Sequence, residues 1–346
     1  MKFERPTIDS HIHLYDWFHE DGSDYFLKFD QMQQTLGLEG FCIECMTDPI
    51  YGGVENNVMA ALYKLHNPTA YAHGAIAYPS YPISLPFQEG LDPLTQYREM
   101  IEIGFDGLKI LYKPDVQKLK ALPIDHEVYE PLFSQMEKDG THIVWHVADP
   151  AEFWSSECKR RCNYSDGTYL SYEDMMSQTL NVLKRHPNLN VTFAHFMFLS
   201  ERPEVLEALF ANYPNLAVDI TPGTEMYIPF TKRRDFYRAF FEKYADRILF
   251  GSDAGIPRYN GNEELIKAVY QAITEGEEVS IWGLFARGLE LSDSTCCQIL
   301  RDNFIRKSGE TPKVIDRDAL KRYVIKYLPL MKKEGNKAQI VKLFEL

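Results

Sequence analysis

Short runs of apolar and β-branched residues alternate along this chain with longer stretches in which apolar residues recur every three or four positions. The short runs predict strands, and the longer stretches predict amphipathic helices. Eight strands are predicted, at 7–14, 40–47, 69–78, 105–112, 141–148, 190–196, 216–221 and 248–253. Helices are predicted between them, at 54–66, 91–103, 125–139, 172–185, 203–213, 232–244 and 263–274.

Strands that alternate with helices in this way indicate parallel βα units and an α/β fold. Eight such units close most simply into a (β/α)8 TIM barrel, and a doubly wound open sheet is the alternative that the pattern leaves open. Beyond Ile281 the pattern is helical as far as Leu346. We therefore expect one domain over residues 1–346, with the barrel at about 6–280 and a helical C-terminal extension at about 281–346.

Two polar segments are longer than the repeat requires, namely 79–93 after the third strand and 149–171 after the fifth. Both follow the C-terminal end of a strand, where barrel enzymes build their active sites, so we expect both to form the substrate pocket. Arg160 and Arg161 in the second segment, and Arg258 after the last strand, are candidates to bind a substrate carboxylate. The alternative for each is an ordinary solvated surface charge.

The composition limits the classes of partner that we expect. The 346 residues are 45% hydrophobic and 25% charged, and their formal net charge is -13, which repels nucleic acid and anionic lipid. The chain shows no signal-peptide pattern and no apolar run long enough to cross a bilayer, so we expect a cytoplasmic protein. A small-molecule substrate is the expected partner, and a homo-oligomer is the expected assembly.

Six cysteines occur in a chain too large to need disulfide bonds, so we expect reduced thiols. Cys42 and Cys45 form a C-x-x-C pattern inside a predicted strand. Their odd spacing places them on opposite faces of that strand, which disfavours a shared metal or a redox pair.

Histidines and an aspartate stand at the ends of four predicted strands. The first strand carries His11 and His13, which alternation places on one face together with Asp9, while Ile8, Ile12 and Leu14 take the other face. Two satisfied core histidines are the alternative for this pair. His146, His195 and Asp253 then close the fifth, sixth and eighth strands, at the rim of the barrel that carries catalysis.

This set of motifs resembles the amidohydrolase superfamily, and specifically the branch that includes aminocarboxymuconate semialdehyde decarboxylase. The resemblance extends over about residues 6–306 and includes the His-x-His motif, the two single histidines and Gly251-Ser252-Asp253. It implies that His11, His13, His146 and Asp253 bind a divalent metal, zinc or else manganese. It also implies that His195 is the catalytic base or polarises the substrate carbonyl, and that Asp253 accepts a proton.

Lys109 is a charged residue in an otherwise apolar fourth strand. We expect it to pair with an acid or to bind the substrate, with a single metal ion in the site. Some members of the superfamily have a carboxylated lysine on this strand that bridges two ions, and that is the alternative for Lys109.

The sequence says less about the roles of the other polar residues. We expect His142 to be a core residue, and Glu44 and Asp219 are ambiguous. The remaining histidines are expected to be solvated, namely His19, His66, His73, His126 and His186.

Three functions are compatible with these residues. The first is a metal-dependent hydrolase that cleaves an amide, a lactone or a related carbonyl bond of a small polar substrate. The second is a metal-dependent decarboxylase of a small aromatic or unsaturated acid. The third is a barrel that binds a ligand without catalysis.

Overall fold

The computed structural model describes residues 2–15, 25–47, 53–78, 92–118, 122–159, 162–223, 226–256, 262–331 and 333–346. Within these ranges, one sheet contains nine parallel strands: β1 (Ile8–Leu14), β2 (Gly40–Glu44), β3 (Tyr71–Ala75), β4 (Gly107–Tyr112), β5 (His142–Val147), β6 (Val191–Phe193), β7 (Leu216–Asp219), β8 (Ile248–Leu249) and β9 (Ala254–Ile256). Each of the eight predicted strands overlaps one of β1 to β8, so their number and order are confirmed.

The last part of the sheet closes it into a barrel. β8 pairs with β7, and β9 pairs with β1 on the other side. Between them, Ser10 N donates to the carbonyl of Phe250 over 3.0 Å and Asp253 N donates to the carbonyl of His11 over 2.9 Å. Residues 248–256 therefore act as one interrupted eighth strand, and the fold is a (β/α)8 TIM barrel rather than an open sheet.

Helices surround the barrel and continue past its last strand. The described α-helices are α1 (Tyr25–Leu36), α2 (Glu55–His66), α3 (Pro93–Ile103), α4 (Pro114–Lys118), α5 (Glu130–Asp139), α6 (Tyr172–Arg185), α7 (Pro203–Asn212), α8 (Tyr227–Lys232), α9 (Arg234–Lys243), α10 (Asn262–Thr274), α11 (Asp293–Cys297), α12 (Asn303–Ser308), α13 (Arg317–Tyr327) and α14 (Glu334–Phe344). The seven predicted helices are all present. None was predicted at α1, although its buried residues recur with helical spacing: Tyr25, Phe26, Phe29, Met32 and Leu36.

The prediction that the chain is entirely helical beyond Ile281 is wrong for the first residues of that segment. Residues there form an antiparallel hairpin of β10 (Glu278–Ile281) and β11 (Leu284–Arg287). Trp282 and Gly283 join the two strands with φ of 51° and 79°. Two successive positive φ values produce the tight turn whose twist matches that of a hairpin.

The predicted alternation of inward and outward side chains along β1 fails at Ile8. Ile8 packs inside the barrel against Cys42, whereas Ile12 and Leu14 pack outside against the helices. A β-bulge between Asp9 and Ile12 shifts the register and moves Ile8 to the inner face. His11 and His13 still point into the barrel.

The two thiols of the C-x-x-C pattern lie on opposite sides of β2, as predicted. Cys42 belongs to the cluster inside the barrel, and Cys45 belongs to the layer between strands and helices. Among the described residues, no helix is both long enough and apolar enough to span a bilayer.

Candidate metal centre

A pocket of about 210 Å³ opens at the C-terminal ends of the strands. Both polar and apolar side chains line it. The lining residues are His11, His13, Tyr15, Met46, Lys109, Leu111, Lys113, His146, Asp149, Pro150, Phe153, Cys162, His195, Phe198, Pro222, Gly223, Asp253 and Trp282. All five predicted metal or catalytic residues thus face one cavity.

His11, His13 and Asp253 form the part of this pocket that best fits a metal ion. One ligand atom from each lies within 4.8 Å of the other two. His13 Nε2 is 3.0 Å from Oδ1 of Asp253. Two imidazoles and a carboxylate are donors that suit a divalent ion such as zinc, and three protein ligands leave a position open for water or substrate.

Hydrogen bonds on the far side of both rings turn one nitrogen of each into the pocket. Nδ1 of His13 lies 2.7 Å from the carbonyl of Glu44, and Nδ1 of His11 lies 2.9 Å from Oδ2 of Asp219. Partners of this kind fix the tautomer of a metal-binding histidine and leave Nε2 as the ligand atom. The side chain of Asp219, which was ambiguous in sequence, therefore supports His11, and the main-chain carbonyl of Glu44 supports His13.

His146, the fourth predicted ligand, is placed differently. Its Nε2 lies 2.8 Å from the carbonyl of Ala148, and its Nδ1 lies 3.0 Å from Nε2 of His195. His146 is thus beside the cluster of His11, His13 and Asp253 but is not part of it. Its partnership with His195 was not predicted, because sequence spacing does not give ring orientation.

The backbone is strained where the strands deliver these side chains. Residues His195 to Phe198 all have φ between 52° and 56°, and Asp253 has φ of 58°. Each such residue costs on the order of 1–3 kcal/mol. The carboxylate of Asp219 stabilises this turn by accepting a 2.9 Å hydrogen bond from His195 N.

Gly251 in the Gly-Ser-Asp motif has a steric role. A Cβ at this position would lie 2.6 Å from Thr221 Oγ1 and 2.9 Å from His11 Cβ. Only glycine therefore lets the chain leading to Asp253 pass this close to His11.

Burial and neighbouring charges shift the pKa values of Asp253 and His195 in the pocket. Burial alone would raise the pKa of Asp253, but the hydrogen bond and charge of His13 hold this pKa well below its usual value. Burial and the adjacent His146 lower the pKa of His195 to about 4. At neutral pH the site therefore contains a carboxylate at Asp253 beside a neutral imidazole at His195.

Lys109 lies in the floor of the pocket and is only 1% exposed. Its Nζ is 2.8 Å from His11 Nε2. Burial lowers the pKa of Lys109, while the carboxylates of Glu44, Asp219 and Asp253 act in the opposite direction.

One wall of the pocket comes from the segment after β5, as predicted for 149–171. Asp149 of this segment lies 3.2 Å from Nζ of Lys113 and accepts a 2.6 Å hydrogen bond from Tyr164 Oη. Although burial opposes it, the charge of Lys113 lowers the pKa of Asp149 to about 2. Lys113 was missed in sequence, although its position directly after β4 was a usable signal.

Several predicted residues lie outside the described part of the chain: Arg160, Arg161, Arg258, His19 and most of the 79–93 segment. His142 is a core residue, as predicted, with its ring nitrogens 2.7 Å from Ser308 Oγ and 2.8 Å from Thr192 Oγ1.

The expectation of a solvated side chain is wrong for two other histidines. His73 is buried on β3, opposite Glu44. His186 is buried between Glu130 and Glu137 at the end of α6, where the two carboxylates compensate for its lost hydration.

A family model described as amidohydrolase matches residues 8–306. No curated protein matches the sequence. Among solved structures, 2,6-dihydroxybenzoate decarboxylase from Rhizobium has a TM-score of 0.51 at 16% identity, covering 88% of this chain and 98% of its own.

Two further structures are similar to the same extent. The 5-carboxyvanillate decarboxylase from Sphingomonas paucimobilis has a TM-score of 0.54 at 13% identity, covering 88% of this chain and 99% of its own. A proposed 2-pyrone-4,6-dicarboxylic acid hydrolase from Pseudomonas putida has a TM-score of 0.54 at 13% identity, covering 89% and 98%. At these identities the likeness shows the shared fold.

Proposed function

The chain belongs to the amidohydrolase family, and from that premise we propose that it is a metal-dependent hydrolase of a small anionic substrate with a lactone, amide or related carbonyl bond. The observation that carries this proposal is the cluster of His11, His13 and Asp253, whose ligand atoms lie within 4.8 Å of one another at the base of the pocket. The residues present fit a divalent ion, because both rings are oriented by a partner on Nδ1.

In this proposal His11, His13 and Asp253 hold the ion, and His146 joins them when its ring leaves the carbonyl of Ala148. Zinc is the ion that two or three imidazoles and one carboxylate favour, with manganese as the alternative. When bound, a divalent ion supplies Lewis acidity, which polarises a carbonyl and lowers the pKa of water from 15.7 to about 7.

His195 is the proposed base. Its Nδ1 lies 3.2 Å from the carbonyl of Thr221, an arrangement in which Nδ1 carries the proton. Its Nε2 lies 3.0 Å from Nδ1 of His146 and becomes available as a base when the His146 ring turns towards the ion. Because its pKa is lowered to about 4, His195 is neutral at pH 7 and accepts a proton from attacking water. Asp253 can take the same proton and return it to the oxygen or nitrogen that leaves.

The pocket walls support a small anionic and unsaturated substrate. Lys109 supplies positive charge, while the charge of Lys113 is balanced by Asp149. Aromatic side chains line other sides of the pocket: Tyr15, Phe153, Phe198 and Trp282. Two proteins with the same fold are named as decarboxylases of aromatic acids. The combination of Lys109 and aromatic rings therefore favours decarboxylation of a small aromatic or unsaturated acid as the second candidate function.

An oxygen-isotope experiment separates the two reactions. Purified protein would be screened with aryl lactones, anilides and hydroxylated benzoic acids in ¹⁸O-labelled water. Hydrolysis predicts one labelled oxygen in the acid product, whereas decarboxylation predicts release of carbon dioxide and no label in the organic product. No turnover of any class by metal-replete protein would favour a barrel that only binds its ligand.

A further inference from the structure

A second group of potential metal ligands lies inside the barrel. It consists of Cys42 and Glu44 on β2 and His73 on β3, and one donor atom from each lies within 4.8 Å of the other two. Glu44 and His73 are direct partners in the parallel pairing, and Cys42 precedes Glu44 by two residues on the same inner face. All three side chains have 0% exposure.

The polar side-chain atoms of Glu44 and His73 have poor hydrogen-bond geometry among the described residues. Neither carboxylate oxygen of Glu44 and neither ring nitrogen of His73 has a hydrogen-bond partner. Nδ1 of His73 is 2.8 Å from Oε1 of Glu44, but the two groups are not aligned for a hydrogen bond. The Cys42 thiol contacts the same carboxylate, so these three polar groups lie next to one another. Two metal-binding groups that lie close together without a hydrogen bond between them can both bind the same ion.

The surrounding backbone leaves room for the His73 ring. At Gly107 on β4, a Cβ would lie 2.7 Å from Cδ2 of His73 and 2.3 Å from the carbonyl of His142. The adjacent ring of His142 is 4.9 Å from that of His73, but its two nitrogens already contact Ser308 and Thr192. Cys42, Glu44 and His73 are therefore the donors that remain available here among the described residues.

We propose that Cys42, Glu44 and His73 bind a structural divalent ion, zinc by the chemistry of its donors, separate from the ion of the pocket. A thiolate, a carboxylate and a neutral imidazole together carry two negative charges, which a divalent ion neutralises. The three side chains supply three of the four ligands that a tetrahedral ion takes.

Binding would displace one proton, from the thiol of Cys42. The ion replaces the proton on sulfur, and the proton passes to solvent. Structural zinc is bound as the chain folds, which agrees with the complete burial of this group.

Cobalt substitution tests the proposal. The full chain is expressed in minimal medium supplied with Co²⁺, so that the ion is present during folding, and its near-ultraviolet absorption is recorded. A thiolate ligand to Co²⁺ produces a charge-transfer band, whereas the pocket ligands His11, His13 and Asp253 contain no sulfur. Because Cys162 also lines the pocket, the band shows that a thiolate binds the ion, and the variants below assign it to the buried site.

Three variants assign the band. It should be lost in Cys42→Ala and retained in Cys45→Ala, which removes an equally buried thiol from the outer face of the same strand. It should also be retained in Asp253→Asn, which alters only the pocket. Absence of the band from the unsubstituted protein, or its retention in Cys42→Ala, would overturn the proposal.

Should Cys42→Ala fail to fold, His73→Gln takes its place, because it keeps the thiol and removes a ligand. Zinc-edge X-ray absorption on the unsubstituted chain, grown with zinc, provides a second measurement. A sulfur neighbour of zinc at about 2.3 Å supports the site. A spectrum that contains only nitrogen and oxygen neighbours overturns it.

Discussion

Nζ of Lys109 lies 2.8 Å from Nε2 of His11, the nitrogen that we propose as a metal ligand. An ammonium group and a divalent cation cannot share the same lone pair, and their charges repel each other at this distance. A bound ion would therefore displace Lys109 from His11 towards the pocket, where its charge could meet a substrate carboxylate.

Replacing Lys109 by Met is expected to remove this competition. Affinity of the pocket for Zn²⁺ should rise on the order of tenfold, equivalent to about 1.4 kcal/mol, while turnover of anionic substrates falls. Titration against a chromophoric chelator measures the affinity, and Lys113→Met is the matched control because Lys113 is paired with Asp149 instead. If Lys109 is instead carboxylated and bridges two ions, Lys109→Met will lose metal.

Asp219 is expected to control the affinity of the pocket through His11. Asp219→Asn places an amide 2.9 Å from Nδ1 of His11 in place of the carboxylate that holds the ring. Loss of such a partner weakens metal binding about 10–100-fold. The same chelator titration measures this, with Thr221→Val as control because the hydroxyl of Thr221 is a longer 3.2 Å contact to the same atom. Equal affinities in Asp219→Asn and the unsubstituted protein would contradict this role.

Asp149 is expected to make stability depend on pH in the acid range. Its pKa is lowered to about 2 in the folded protein, so the folded state binds fewer protons than the unfolded chain between about pH 4 and pH 2. The stabilisation is complete above pH 4, of order 2 kcal/mol, and is lost as the pH falls towards 2. In urea unfolding, Asp149→Asn should lower the free energy of unfolding more at pH 7 than at pH 3. Tyr164→Phe, which keeps the carboxylate, should retain the pH dependence.

His195 is expected to remain an active base in mildly acidic solution. A base with a pKa of about 4 is unprotonated above that value, so kcat/KM should stay level down to about pH 5 and fall as the pH approaches 4. His195→Gln should lower kcat by about 10²–10⁴-fold at pH 7 without loss of bound metal. An acid limb centred near 6.5 in the unsubstituted enzyme would show that burial does not control this histidine.

The alternation of strand and helix patterns predicted the barrel, because eight parallel strands have few other ways to bury both faces. Strand ends likewise predicted that His11, His13, His146, His195 and Asp253 would meet in one pocket. Both inferences depend only on the spacing of apolar residues and on the order of the predicted elements, and a single sequence contains both.

The features that escaped prediction depend on exact geometry. The bulge that moves Ile8 to the inner face is one extra residue in the pairing, with no sequence marker such as glycine. The contact of His146 with His195 depends on ring rotation and on the left-handed turn at His195 to Phe198. The burial of His73 follows from its position opposite Glu44, which is a property of the register between β2 and β3.

The metal content of Asp253→Asn tests the central proposal most directly. Both proteins would be expressed with zinc, purified and compared by inductively coupled plasma mass spectrometry, with Asp246→Asn at a largely exposed carboxylate as the control. We predict that Asp253→Asn contains one divalent ion fewer per chain than the unsubstituted protein, and that Asp246→Asn contains the same number. Equal metal content in the Asp253→Asn and unsubstituted proteins would contradict a metal centre at His11, His13 and Asp253.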